Sequence, residues 1–257
     1  MLKAALPLCL LSIVCGAAPS TASRRLLTLE INDRILGGEV ANISDYPWMV
    51  SVEYLEAHRC GGSIVSSSWV MTAAACIWGT TANYFALRVG TSTRGSGGTA
   101  YLATQLFWHD DYDAATSDYD IGFFQTTDSI LFDDNVQPVA LATEELEAGT
   151  SVTVSGWGSL QPGVDYPEEL HAVNTTIIDR SLCNDTYEGL ITDNMICAGE
   201  PEGGKDFCNG DHGGPLVVDS TQYGVISWGY GCFYPPYPGV YTDIVALRSW
   251  INEAIGV

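Results

Sequence analysis

The chain has 257 residues, of which 46% are apolar and 11% aromatic, so a full core is within reach and a disordered chain is excluded. Its charge is lopsided, with 10 basic against 31 acidic residues and a net charge of −21, which excludes a nucleic-acid partner because a polyanion needs a basic face. Twenty-seven glycines among short apolar runs point to a turn-rich β protein.

Lys3 precedes the apolar run Ala4 to Val14, and small residues follow through Ala22. That run is too short to cross a bilayer and reads as a secretory signal over residues 1–22, cleaved between Gly16 and Ala22. No later stretch reaches eighteen uninterrupted apolar residues, so a soluble, secreted, extracellular protein with no membrane partner is expected. Cys9 and Cys15 leave with the signal. Cys60, Cys76, Cys183, Cys197, Cys208 and Cys232 remain, an even number that implies three disulfides, with connectivity open from count alone. Asn42, Asn174 and Asn184 each begin a glycosylation triplet.

Strand-like runs then recur at Trp48 to Glu53, Gly62 to Met71, Ala86 to Val89, Gly122 to Gln125, Ser151 to Trp157, Val173 to Ile178, Pro215 to Val218, Gly224 to Trp228 and Gly239 to Thr242. Glycine, proline, serine or aspartate bounds each, as in sandwiches and barrels. Gly90 to Gly98 reads as a loop. Ile244, Leu247, Ile251 and Ile255, with Trp250 beside them, predict a C-terminal helix capped by Asp243.

Seven local motifs occur in order: Arg34-Ile35-Leu36-Gly37-Gly38, Cys60-Gly61-Gly62-Ser63, Thr72-Ala73-Ala74-Ala75-Cys76, Asp118-Tyr119-Asp120-Ile121, Gly156-Trp157-Gly158, Gly210-Asp211-His212-Gly213-Gly214-Pro215 and Ser227-Trp228-Gly229. Together they resemble the trypsin/chymotrypsin-like serine proteases from Ile35 to Val257. The resemblance implies an all-β fold of two six-stranded antiparallel barrels with the cleft between them and a C-terminal α-helix. It implies a short propeptide over 23–34, one domain over 35–257, and disulfides Cys60–Cys76, Cys183–Cys197 and Cys208–Cys232. It also implies activation by cleavage at Arg34, the new Ile35 amino terminus pairing with Asp211.

The family's chemistry uses a serine nucleophile, a histidine base and an aspartate that orients the base. Here Ala75 stands at the histidine's place and His212 at the serine's, and Asp120 alone is retained. His58, His109 and His171 fall away from the triad in the family layout and read as surface or packing residues. The expectation is therefore a pseudoprotease: a secreted, non-enzymatic binding or regulatory protein, a decoy or cofactor in a proteolytic system. The alternative is a trypsin-like serine-type endopeptidase with residual or unconventional activity.

Other parts of a peptide cleft are retained in the pattern. Gly210 and His212 offer the backbone N–H groups of an oxyanion hole. Ser227, Trp228 and Gly229 match the strand that pairs with an extended peptide. Asp206 stands at the base of the primary pocket with Gly229 and Gly239 at its walls, while Phe207 replaces a small residue and is expected to fill the slot. No metal or cofactor is expected; Asp110, Asp111 and Asp113 lack ligand spacing and read as a solvated loop. The expected partner is a protein or peptide (a protease, inhibitor or zymogen), bound by a monomer.

Overall fold

A computed structural model describes residues 38–160, 166–200, 203, 207–232 and 235–257. The signal segment, the propeptide, Arg34, Ile35 and Asp206 lie outside the described residues.

After a two-residue strand β1 (Glu39–Val40), six antiparallel strands close the first barrel: β2 (Met49–Tyr54), β3 (Ala57–Ile64), β4 (Trp69–Thr72), β5 (Phe85–Val89), β6 (Thr99–Trp108) and β7 (Gly122–Thr126). Their order around the barrel is β2-β3-β4-β7-β6-β5. A short β8 (Ala140–Leu141) precedes the second set: β9 (Ser151–Gly156), β10 (His171–Ile178), β11 (Met195–Gly199), β12 (Pro215–Val218), β13 (Thr221–Trp228) and β14 (Gly239–Asp243). These run β10-β11-β14-β13-β12-β9, and β9 pairs back onto β10 to close the second barrel. β1 adds to β10, and β8 lies parallel to β13.

Alternation places the side chains. In β5, Phe85, Leu87 and Val89 point inward and Arg88 outward, where it forms a two-point ion pair with the buried Glu53. In β10, His171, Val173, Thr175 and Ile177 form the buried face. Phe85, Phe123 and Phe124 fill the first barrel; Val154, Leu216, Ile226 and Tyr241 fill the second.

The structure corrects three details of the sequence reading. The run Gly62 to Met71 is two strands, because Ser66–Ser68 turns the chain between β3 and β4. β6 lacks the alternating pattern because only Ala103 among its ten residues is buried. The C-terminal helix α3 (Arg248–Ile255) begins later than expected. Asp243 Oδ1 accepts the N–H groups of Val245 and Ala246, which caps a turn, while its Oδ2 accepts from Arg180. Two shorter helices, α1 (Ala74–Ile77) and α2 (Arg180–Thr186), carry no periodicity long enough to read. α2 is capped by Asp179, which accepts from Ser181 and Leu182.

The three expected disulfides are formed: Cys60–Cys76 fastens β3 to α1, Cys183–Cys197 fastens α2 to β11, and Cys208–Cys232 ties the loop before β12 to the loop after β13. Asn42 and Asn174 are exposed; Asn184 is half-buried and its Oδ1 accepts from Ile191. No helix among the described residues is long and apolar enough to cross a membrane.

Candidate active site

The site lies where the loop 207–214, leading into β12, meets β3 and α1. Gly61 in β3 donates to the His212 carbonyl at 2.9 Å, and Gly213 and Gly214 bind Ile226 in β13 and the Asp211 carbonyl. This approach is possible only without side chains at two positions. A Cβ on Gly61 would stand 2.9 Å from Gly214 Cα, and one on Gly213, whose φ is +83°, would stand 2.2 Å from Thr72 Oγ1.

The Gly156-Trp157-Gly158 motif has a similar explanation. Asp211 is fully buried, and its carboxylate accepts from Gly158 N at 2.7 Å and Cys208 N at 3.0 Å. A Cβ on Gly156 would stand 2.0 Å from Asp211 Oδ1. Burial raises the Asp211 carboxyl to about 6, against the two backbone N–H groups that lower it. No basic side chain pairs with it among the described residues.

On the first-barrel side, Asp120 follows directly on the turn before β7 and is 1% exposed. Its Oδ1 accepts from Ala75 N at 2.8 Å and its Oδ2 from Ser227 Oγ at 2.6 Å. Burial lifts this carboxyl too, to about 6, while Ser227, Ala75 and Ala74 hold it down. Ala75 itself is exposed at the start of α1. Asp120, Ala75 and Ser227 are thus brought together, and no imidazole meets Asp120.

His212 sits half-buried across from them, its ring 5.9 Å from that of Phe207. Its ring nitrogens hydrogen-bond no described residue, and desolvation lowers its pKa, so the imidazole is neutral at neutral pH. The backbone N–H groups of Gly210 and His212 have no partner among the described residues. Nothing in this set supplies a hydroxyl at position 212, where the family pattern has one.

His58 has a role that its sequence position did not signal. It is buried, and desolvation lowers its pKa to about 4, so it is neutral. Its Nε2 donates to the Gly210 carbonyl at 3.1 Å and its Nδ1 accepts from Ser51 Oγ at 2.8 Å, which is the tautomer these partners require. Tyr166 packs against both the His58 ring and Gly210. The Gly210 peptide is therefore pinned from behind. His109 and His171 are buried packing residues: His109 is stacked on Tyr119 and tilted against Trp250, and His171 lies on β10.

Of the expected pocket, Phe207, Gly229 and His212 border a cavity of about 420 Å³ with the Cys208–Cys232 disulfide. Gly239 begins β14, its Cα 3.9 Å from where a Cβ on Gly229 would stand. Ser227 and Trp228 end β13, and Gly229 follows with nothing nearer than 3.7 Å to that Cβ position. An aromatic group absent from the sequence reading flanks this strand: Tyr187, Trp228, Tyr230 and Tyr237 make mutual ring contacts at 4.9–6.0 Å. Just after α1, the exposed Trp78 meets Tyr112 edge-on at 6.3 Å. Their signal was only an excess of Trp and Tyr. Among the described residues no group of three His, Cys, Asp or Glu side chains is placed to hold a metal.

Comparison with known proteins places the chain. The family model described as Trypsin matches residues 35–251. Trypsin delta of Drosophila melanogaster is 39% identical over 246 residues, covering 94% of this chain and 96% of that protein. The vitellin-degrading protease of Bombyx mori is 40% identical over 226 residues, 86% of each chain. Trypsin alpha-4 of Lucilia cuprina is 36% identical over 257 residues, 99% of this chain and 98% of its own.

These matches correct one expectation. Ala75 and His212 suggested a chain with no enzymatic activity, but relatives that resemble it over almost their whole length are named trypsins and a protease, and they point to a protease. Two closed antiparallel barrels, the three disulfides, the loop 207–214 and a family match over 35–251 lead to one assignment: the chain belongs to the trypsin family of serine proteases.

Proposed function

We propose that the protein is a secreted trypsin-family endopeptidase that takes an extended polypeptide segment into its cleft and hydrolyses it slowly, without a serine nucleophile. The observation that carries this reading is the pair of backbone N–H groups at Gly210 and His212, which meet no partner among the described residues, beside a neutral imidazole. Two such donors stabilise the oxygen of a carbonyl under attack. The His212 imidazole accepts a proton from a water, the water oxygen bonds to the carbonyl carbon, and the same proton passes to the departing amine nitrogen. Ser227 to Gly229 offers the main-chain edge along which the segment pairs.

Serine peptidases stripped of triad residues keep roughly 10³–10⁴-fold acceleration over water through the oxyanion hole and binding, and that is the scale expected here. The leader at Lys3 and Ala4–Val14 and the three disulfides support export. Glycans are expected on the exposed Asn42 and Asn174. The polypeptides met in such a fluid include proteases, their inhibitors and zymogens, and one chain supplies every residue named.

The test uses protein cleaved after Arg34. Slow hydrolysis of an unstructured polypeptide is expected, unaffected by a serine-directed phosphonate and removed by His212→Ala. Turnover that the phosphonate blocks, that survives His212→Ala, or that never rises above buffer overturns the reading.

A further inference from the structure

The first-barrel loop between β5 and β6 is stitched to the segment that leads into β10 of the second barrel. Leu170 N donates to the Ser92 carbonyl at 2.7 Å, Arg94 N donates to the Glu168 carbonyl at 2.7 Å, and Thr93 bridges to Glu169. The Arg94 side chain carries the link further. Its Nε donates to the Pro167 carbonyl at 2.8 Å and its Nη2 to the Tyr166 carbonyl at 2.9 Å. Its Cζ stands 5.7 Å from the centre of the Tyr166 ring. A planar guanidinium binding two successive carbonyls fixes their direction as a point charge cannot.

What Arg94 holds lies against the oxyanion loop. The Tyr166 ring meets His58 edge-on at 5.8 Å, and its Cε1 stands 3.0 Å from where a Cβ on Gly210 would be. Trp157, the other ring on His58, at 6.1 Å, donates its indole N–H to the Ser92 carbonyl at 2.9 Å. Both rings that pack on His58 are thus tied to the same first-barrel loop. Gly210 has a φ of +97° and no side chain, so its direction depends on what its backbone meets. Its carbonyl is held by His58 Nε2, and Tyr166 and Gly158 close its Cα face. Water admitted beside His58 would compete for that carbonyl. The Arg94 cation also opposes protonation of His58, which keeps the imidazole in the neutral form that makes this bond.

We propose that Arg94 is a positioning residue for the Gly210 N–H, acting through Tyr166 and His58. A loop of the first barrel then sets one of the two carbonyl-binding donors carried by the second. The brace stands apart from the function proposed above; only its consequence for turnover rests on that reading.

The experiment uses protein cleaved after Arg34 and begins with NMR of the His58 Nε2–H proton and the Gly210 amide. Arg94→Lys keeps the charge and loses the two-carbonyl fork, Tyr166→Leu loses the ring, and Tyr166→Phe keeps it. Arg94→Lys and Tyr166→Leu are expected to speed solvent exchange of the His58 proton by about tenfold or more, with barrel amides unmoved. The Gly210 amide is expected to shift in both, and Tyr166→Phe to behave as the wild type. Unchanged His58 exchange in Arg94→Lys or Tyr166→Leu overturns the brace. A Gly210 amide that keeps its wild-type position in both overturns the positioning role, whether or not turnover is seen. In hydrolysis of an unstructured polypeptide, Arg94→Lys is expected to lower kcat by about tenfold or more at nearly constant KM, because the donor acts on the developing oxyanion. A raised KM at constant kcat makes Arg94 a substrate-binding residue and overturns the proposal. If the wild type itself turns nothing over, the endopeptidase reading falls, and the two NMR signals still decide the brace.

Discussion

On the first-barrel side of the cleft, the buried Asp120 carboxylate keeps two donors, Ala75 N and Ser227 Oγ, but the side chain at position 75 is a methyl group. On the second-barrel side, the backbone is in place: Gly61, Gly213 and Asp211 hold the loop, and the side chain at 212 has become an imidazole. One wall keeps a carboxylate with no imidazole beside it, and the other keeps its main-chain loop with an imidazole where the family pattern has a hydroxyl. The comparison separates what folds the cleft from what reacts in it. The first depends on glycines, buried carboxylates and main-chain bonds; the second depends on two side chains that little else touches. Both can change with the fold intact because Ala75 is exposed and His212 is only half-buried.

The sharpest way to test that separation is to restore both groups. Ala75→His with His212→Ser is expected to raise turnover by about 10³-fold or more, because the groups of a triad act as a unit. Each single variant is expected to recover little of this. If Ala75→His alone matches the double variant in kcat/KM, the two walls are not complementary and His212 does not occupy the nucleophile's place.

The glycines set the next effect. Gly213→Ala drives a Cβ to 2.2 Å from Thr72 Oγ1 and 2.6 Å from the Gly61 carbonyl, at a φ of +83°. A loss of about 3 kcal/mol or more is expected in urea unfolding. Gly79, just beyond α1, also has a positive φ of +72° but meets nothing within 4 Å. Gly79→Ala is expected to cost only about 1 kcal/mol, the strain of the backbone alone. Equal costs would mean that the loop is not held by close approach.

The sequence carried the frame of this comparison but not its supports. The motifs around Cys60, Ala75, Asp120 and Gly210 were legible because each needs particular residues at adjacent positions, and so the two substitutions stood out against them. Strands with a buried face, such as β10, were legible from alternation. β6 was not, since only Ala103 is buried along it. Ser51, His58 and Tyr166 were not legible as supports of Gly210, because their link to the loop spans 152 residues from His58 and is made through a main-chain carbonyl. Phe207 was legible as an oversized residue; its position between Tyr241 and His212 was not.

A third test compares the two buried carboxyls by pH. Asp120 and Asp211 are each raised from 3.8 to about 6 by burial. The folded protein then binds more protons than the unfolded chain between pH 4 and 6, so stability falls as pH rises through that window. Replacing either by Asn removes its share of the slope, on the order of 2–3 kcal/mol between pH 4 and pH 7. His58, lowered to about 4, works the other way: its contribution is complete above pH 6.5 and is lost as pH falls toward 4. Urea midpoints at pH 4, 5, 6 and 7 should therefore show a shallower decline with rising pH in Asp120→Asn and Asp211→Asn. A slope unchanged in both variants would show that neither carboxyl titrates as a buried group. Cleavage after Arg34 is expected to separate the two walls: if the new Ile35 ammonium reaches Asp211, only the Asp211 share of the slope disappears.

The smallest effect concerns Ser227, which among the described residues links the end of β13 to the first-barrel carboxylate. Its hydroxyl donates to Asp120 Oδ2 at 2.6 Å and is the largest influence holding that carboxyl down against burial. Ser227→Ala removes the donor, leaves Ala75 N on the other oxygen, and raises the Asp120 pKa further. Above pH 7 the carboxylate is charged in the folded protein and loses a charge-assisted bond, so a cost of about 1–2 kcal/mol is expected. At pH 4 the carboxyl is protonated in both proteins, and the cost should shrink to well under half of that. Paired urea unfolding at pH 7.5 and pH 4 reads the difference. A cost that does not change with pH would show that the hydroxyl only fills space beside Asp120, and the first-barrel wall would then hold its carboxylate through the main chain of α1 alone.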